Sequence, residues 1–374
     1  WSNHTSRAYN TFNPLLEEGA AFNLRMVKST RFMMYDSLRL FFNNGGTECY
    51  IVSVGDYGDK VSPKKISDKK NNGGIVALEK HLEPTILVVP DAVLMSEADC
   101  YSTQAEMLAH CGHKMRNRFA ILDVYNGTVD RTHSDDDVIT KFREGIGSNH
   151  LSWGAAYYPF VNTNVISSSE VTYSRVSNPD ALTEILNSEV DSNLEANKIS
   201  EAKAEAIKSE IAKIIDPENS DLASTHTILS SVSPTYNLIL AQILDSLNIM
   251  PPSSAMAGAY SMVDGAFNVG KAPANISLGS VISPCVNINS DDQEDMNVPL
   301  NGKAVNAIRS FTGKGTLVWG ARTLDGNSQD WRYISVRRTM TFLEQSIKSA
   351  SEAFVFSPNN STTWSTLRAT VSNF

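Results

Sequence analysis

The order of elements in this sequence predicts an α/β fold: a layered core with a largely parallel sheet flanked by helices, plus a helical surface insertion. Two observations carry that prediction. Between residues 45 and 165, short uninterrupted apolar runs such as Ile86-Leu-Val-Val89 alternate with amphipathic stretches of helical period. Strands apolar on both faces are what a sheet covered on both sides by helices requires. The second observation is a change of character at residues 178–220, where narrow apolar stripes lie in an Ala/Glu/Lys-rich background.

Within the first region the candidate strands are 48–54, 85–89, 119–124 and 155–161, with helical patterns near 75–81, 103–115 and 136–146. Thr103 and Glu106 have capping-box spacing, and Ser134 with the acidic run 135–137 suits a helix N-terminus. Leu182, Ile185, Leu186, Val190 and Leu194 then mark one helical stripe, and Ile207, Ile211, Ile214 and Ile215 a second, ended by Asp216-Pro217. This stretch reads as a surface hairpin, an insertion without a core of its own. Leu238, Ile239, Ile243 and Leu247 form the face of another helix, stopped by Pro251-Pro252. Ser253 or Ser254 is expected to cap a helix closed at Gly265, whose Ala255, Gly258 and Ala259 permit close backbone packing.

An acidic stretch, 291–295, reads as a solvated loop. Strands are expected at 307–311 and 316–319 and a long helix at 336–353. Trp364, Leu367, Val371 and Phe374 keep helical spacing to the last residue, and the chain opens at Trp1 rather than Met. Both ends therefore read as cut. The expected organisation is a lead-in segment (1–44), an α/β core (45–165), a variable helical insertion and connector (166–245), and a region continuing the core (246–374).

The 374 residues carry a net charge of −9, which disfavours nucleic acid or an anionic membrane as partner, since both select a basic face. No apolar run approaches the roughly 18 residues of a membrane span. Cys49, Cys100, Cys111 and Cys285 are scattered without a CxxC, as expected of reduced thiols in a cytoplasmic protein.

Four patterns raise the question of chemistry. Asp91 and Asp123 each end a candidate parallel strand, the edge at which α/β sheets bind ligands, so a hydrolase or nucleotide-binding reading rests on them. Neither is followed by a glycine-rich phosphate loop, and strand-end acids also cap helices. His110-Cys111-Gly-His113 with Cys100 lacks the second ligand pair of a zinc site, and Cys111 is expected to face the core beside Leu108 and Met115. Gly313-Lys-Gly315 lacks the spacer of a phosphate loop, and 291–295 lacks the glycine of a calcium loop. No cofactor, metal or catalytic residue is assigned.

Four segments in order carry a family resemblance. Phe311-Thr-Gly-Lys-Gly-Thr-Leu-Val-Trp-Gly-Ala-Arg-Thr323, with Trp331-Arg-Tyr333 and Arg337-Arg338, resembles the signature of phage-type contractile tail sheath proteins. Asn43-Asn-Gly-Gly-Thr-Glu-Cys-Tyr-Ile-Val-Ser-Val54 resembles that family's first core strand and its lead-in, and Pro251-Pro-Ser-Ser-Ala-Met-Ala-Gly258 with Asp264, then Lys271-Ala-Pro-Ala-Asn275, its loop-and-helix motif. Leu87-Val-Val-Pro-Asp91 and Arg118-Phe-Ala-Ile-Leu-Asp123 resemble the strands between.

The resemblance implies a structural subunit, not an enzyme, that polymerises as stacked six-membered rings around an inner tube and contracts to drive it through an envelope. Phages, type VI secretion systems and related injection particles use such sheaths. The implied partners are further copies, the inner tube protein, and baseplate and terminator or cap proteins, with cytoplasmic assembly and no direct membrane insertion. A non-contractile tail or baseplate component is the neighbouring alternative. Arg309, Lys314, Arg322, Arg332, Arg337 and Arg338 form a basic cluster unusual in so acidic a chain. They either pair with Asp325, Asp330 or Glu344 inside the subunit or serve an intersubunit or tube contact, where guanidinium forks grip carboxylates and fix register.

Overall fold

The computed structural model describes residues 10–16, 22–27, 30–56, 59–216 and 221–374. Trp1, much of the lead-in and Pro217 lie outside the described residues. In chain order the elements are β1 (Phe12–Leu16), β2 (Phe22–Met26), α1 (Met34–Asn43), α2 (Pro63–Ile66), β3 (Ser67–Asp68), β4 (Gly73–Gly74), β5 (Ile86–Leu87), α3 (Glu97–Ala109) and β6 (Phe119–Asp123). There follow α4 (Val138–Gly145), β7 (Gly154–Tyr158), β8 (Val161–Thr163), α5 (Pro179–Glu195), α6 (Glu201–Ala212), α7 (Leu222–Val232), α8 (Pro234–Leu247) and β9 (Ile249–Met250). The last are α9 (Ser253–Phe267), β10 (Val281–Pro284), α10 (Ser290–Asn297), β11 (Asn306–Phe311), β12 (Gly315–Trp319), α11 (Ile334–Glu352) and α12 (Ser361–Asn373).

Two compact units result, one comprising residues 37–54, 61–161 and 251–374, the other 1–36, 55–60 and 162–250. The first is built on a five-stranded sheet of order β12-β11-β7-β6-β5. β5, β6, β7 and β11 run parallel, and β12 closes the edge as an antiparallel hairpin partner of β11. This is the predicted α/β core. Residues of β6 alternate between its faces: Ala120 and Leu122 join a cluster with Leu108 and Cys111 of the helix before it and Phe142 of α4. Phe119 faces the opposite way and stacks on Tyr260 of α9. Period-2 alternation with both faces covered explains why the strand is apolar throughout.

Local chemistry sets several helix boundaries differently from the sequence reading. α3 begins at Ser96, whose hydroxyl accepts from the Asp99 N–H, and Thr103 lies buried inside the helix. α9 runs to Phe267, past Gly265. The acidic stretch expected as a loop is helix α10: Asn289 and Asp292 form a capping box, and Asp291 and Asp292 sit at its first turn, where the helix dipole favours them.

The strand expected at 48–54 does not form: no strand lies there among the described residues. Among the described residues, 47–52 make no backbone–backbone hydrogen bond, and Tyr50, Ile51 and Val54 are exposed. Strand propensity there is real, but a strand exists only where a partner meets it.

In the second unit, α5, α6, α7 and α8 bury one continuous cluster that includes Leu182, Leu186, Ile207, Ile211, Leu229, Ile239 and Ile243, with Phe12 of β1. The expectation of a coreless hairpin at 178–220 is thus corrected: its two stripes face a shared interior. Each stripe is narrow because each helix contributes one side to a multi-helix core.

Candidate assembly surface

The hairpin β11–β12 turns through Thr312-Gly-Lys314, with Gly313 and Gly315 at φ of 76° and 75°, a left-handed backbone that glycine adopts without strain. Beyond β12 the chain passes Gly320, where a Cβ would come within 2.9 Å of the Asn306 Cα, so only glycine fits beside β11. Asn306 then fastens the next turn. Its Oδ1 accepts the Arg322 N–H at 2.8 Å, and its Nδ2 donates to the carbonyls of Arg322 and Ala156.

The chain from 321 to 334 folds back on itself. The Thr323 N–H donates to the Arg332 carbonyl at 2.9 Å, the Thr323 hydroxyl to the Trp331 carbonyl, and the Ile334 N–H to the Ala321 carbonyl. The Trp-Gly-Ala-Arg-Thr run and the Trp-Arg-Tyr run are thereby a single structure. It brings Arg322 and Arg332 over the same Tyr333 ring, at 5.8 and 5.1 Å from its centre.

The six basic residues divide into two groups. Arg337 and Arg338 are 5% and 7% exposed. Arg337 lies between the rings of Trp153 and Trp331, at 4.3 and 4.1 Å, and pairs with Glu344 at 3.1 Å. Burial pulls its pKa down, against the pull of Glu344. Arg338 holds Asp264 of α9 through both terminal nitrogens and lies over Tyr260, whose hydroxyl meets that of Tyr157 at 2.9 Å.

Arg309, Lys314, Arg322 and Arg332 form the other group: none is ion-paired with a carboxylate among the described residues. Arg309 contacts the Gln293 side-chain carbonyl and the Phe311 ring, and Arg322 donates to the Gly326 carbonyl at 2.8 Å. The Nε atoms of Arg309 and Arg332 are buried without a partner. Asp325 and Asp330, the intramolecular partners considered from the sequence, take none of them. Gln293 and the shared role of Tyr333 were not singled out from the sequence. Gln293 is hidden in an acidic run, and Tyr333 declares itself only once Arg322 is known to lie beside it.

The strand-end acids have separate roles. Asp123 is buried, and its carboxylate accepts the Ser253 N–H at 2.8 Å, capping α9 from another strand in place of Ser253 or Ser254. Burial raises its pKa to about 7. Asp91 lies in the short helix Pro90–Leu94 that follows β5. Cys111 is buried in the same cluster as Leu108, and burial pushes its thiol up to about 12.

Apolar surface is concentrated at the C-terminal helices. Val336, Met340 and Ile347 are exposed along α11, Trp364 and Val371 along α12, and α12 buries no residue. Among the described residues, no helix is long and apolar enough to cross a membrane.

No family model and no curated protein matches the chain. Solved structures do. The contracted sheath complex of an extracellular contractile injection system, PVC, is 25% identical with a TM-score of 0.52, over 91% of this chain and 63% of that one. The contracted helical sheath of the anti-feeding prophage is 22% identical with a TM-score of 0.53, over 100% of this chain and 80% of that one. The six-fold-symmetrised baseplate of the same prophage matches at 22% identity and a TM-score of 0.53, over 99% and 76%. This chain therefore has the fold of the contractile tail sheath proteins.

Proposed function

We propose that the chain is a structural subunit of a contractile sheath, assembling as stacked six-membered rings around an inner tube and contracting to drive that tube through a target envelope. The observation that carries this reading is the match over 91% of the chain to a sheath complex in its contracted state. Two surface features support it: exposed apolar faces on α11 and α12, and cations without acids of their own. Further copies, the inner tube protein, baseplate proteins and a terminator or cap are the partners, with assembly in the cytoplasm.

No catalytic step enters this reading. The Asp123 carboxylate serves as a helix cap, so a hydrolase built on it would have to sacrifice the start of α9. Work comes instead from packing. Each further 100 Å² or so of apolar area buried per subunit on contraction contributes about 2.5 kcal/mol as an upper estimate. A bistable packing repeated over many subunits is a recognised way to store and release such energy.

The baseplate match favours a second reading, a ring component that does not stack. Electron microscopy of the full-length protein separates the two. Hollow striated cylinders are expected; isolated rings would favour the baseplate reading, and dispersed monomers at high concentration would sink both.

A further inference from the structure

Two guanidinium groups over one tyrosine ring, with no carboxylate between them, make an arrangement that a single subunit leaves incomplete. Arg322 and Arg332 lie within 5.8 and 5.1 Å of the Tyr333 ring centre, so the two cations are at most roughly 11 Å apart, the sum of those distances. Like charges repel, and although cation–π attraction holds both groups on the ring, it brings no negative charge to balance them. The backbone bonds from Thr323 and Asn306 hold both arginines in place whether or not an anion is present. The site is thus preorganised for negative charge, and Arg offers a planar fork suited to carboxylates.

The same chain carries a matching acidic surface. On α5, Glu184, Asp191 and Glu195 share one face at spacings of seven and four residues, which set them about 10 and 6 Å apart along the axis. They line a shallow polar groove of about 560 Å³ together with Asn187. Asp191 pairs with Lys208, while Glu184 and Glu195 take part in no ion pair among the described residues. A net charge of −9 makes such a face costly to repeat over many copies unless a cationic surface covers it.

We propose that the Arg322–Tyr333–Arg332 platform of one subunit receives the acidic α5 face, Glu184 and Glu195 foremost, of a second copy. This rests on the sheath reading and names one contact within it: a head-to-tail contact, donor and acceptor being different residues, which can be repeated around a ring or along a helix of copies.

A charge-swap series on the full-length protein tests this, with polymer measured by sedimentation and folding by circular-dichroism melting. R322E/R332E and E184K/E195K each place like charges across the contact, and each is expected to cut pelleted protein at least tenfold while melting near wild type. Mixing the two variants, or combining all four changes in one chain, restores attraction and is expected to recover pelleting. Should R322E/R332E fail to fold, R322Q/R332Q removes the charge without reversing it and is expected to weaken polymerisation, with a smaller salt dependence than wild type. The proposal is overturned if either folded variant pellets like wild type, or if the combined variant folds and stays soluble. Loss with the arginine variant but not the glutamate variant means that a different acid fills the platform, which also overturns it. A wild-type chain that never polymerises would instead refute the sheath reading itself.

Discussion

Arg338 of α11 and Asp264 of α9 are joined by two parallel charge-assisted hydrogen bonds across 74 residues of sequence. The arginine is 7% exposed, so removing the carboxylate strands a cation away from water. Asp264→Asn is expected to lower the stability of the subunit by about 2–4 kcal/mol, discounted from the fully buried case because Asp264 is partly solvated. Arg322→Ala, at a site without an ion pair, is expected to cost under about 1 kcal/mol. Urea denaturation of both variants checks this; equal losses would mean that the two arginine groups do not differ as described.

Asp123 gives the stability a pH dependence of calculable sign. Its folded pKa is raised to about 7 by burial, well above the roughly 3.9 of an exposed aspartate. Between these values the folded state holds a proton the unfolded state has lost, so this group's contribution falls as pH rises from about 4 to 7. Asp123→Asn keeps an oxygen for the Ser253 N–H and has nothing to ionise. Its stability relative to wild type is expected to rise by roughly 1.4 kcal/mol per pH unit across that window. Parallel stability curves for the two proteins would show that Asp123 is not held neutral by its surroundings.

Replacing residues 180–216 with a short Gly/Ser linker would be harmless if that stretch were a surface hairpin. It carries Leu182, Leu186, Ile207 and Ile211, all buried in the second unit. The replacement is expected to unfold that unit, and Leu186→Ala alone to cost about 2–5 kcal/mol. Limited proteolysis reads the outcome: a chain resistant across 222–247 after the replacement would contradict a shared core.

Gly258 lies where α9 crosses the end of α1. A Cβ there would stand 2.2 Å from the Phe41 carbonyl oxygen and 2.8 Å from the Asn44 Cβ. Gly258→Ala is expected to destabilise by about 1–3 kcal/mol or more, since backbone cannot move aside as a side chain can. The change at Gly265, where nothing lies within 4 Å, is expected to be neutral or slightly stabilising. A thermal melt of the two variants side by side decides; no difference between them would mean that the helices do not approach this closely.

The parts of the fold legible in sequence are those that local chemistry specifies. β11 and β12 follow from apolar runs separated by Gly313 and Gly315, and β6 from a run apolar on both faces. The close-packed face of α9 follows from Ala255, Gly258 and Ala259. What sequence does not display is partnership at a distance. Nothing near Tyr50 says that no strand forms at 48–54, and nothing near Arg338 says that its acid is Asp264. The basic cluster is likewise visible as a set, but its division into ion-paired and unpaired members depends on which carboxylates the fold delivers to each. In α10 the acidic run concealed a helix because its charges are neutralised from elsewhere: Asp295 meets Arg131 and Arg143 at 2.8 and 3.1 Å.

The stretch from Cys49 to Val52, which makes no backbone–backbone hydrogen bond, has a consequence for how this subunit can be stored. Its residues, Cys-Tyr-Ile-Val, are rich in β-branched and aromatic side chains and carry neither charge nor proline, the composition of an adhesive strand. With Tyr50 and Ile51 exposed there, any two free subunits that meet can pair out of register. Pairing errors of this kind scale with the square of the free concentration, whereas addition to a growing end scales with its first power. A cell making this protein therefore gains from scarcity: a small free pool drawn down steadily by growing ends outcompetes clumping, and overproduction without such ends favours inclusion bodies.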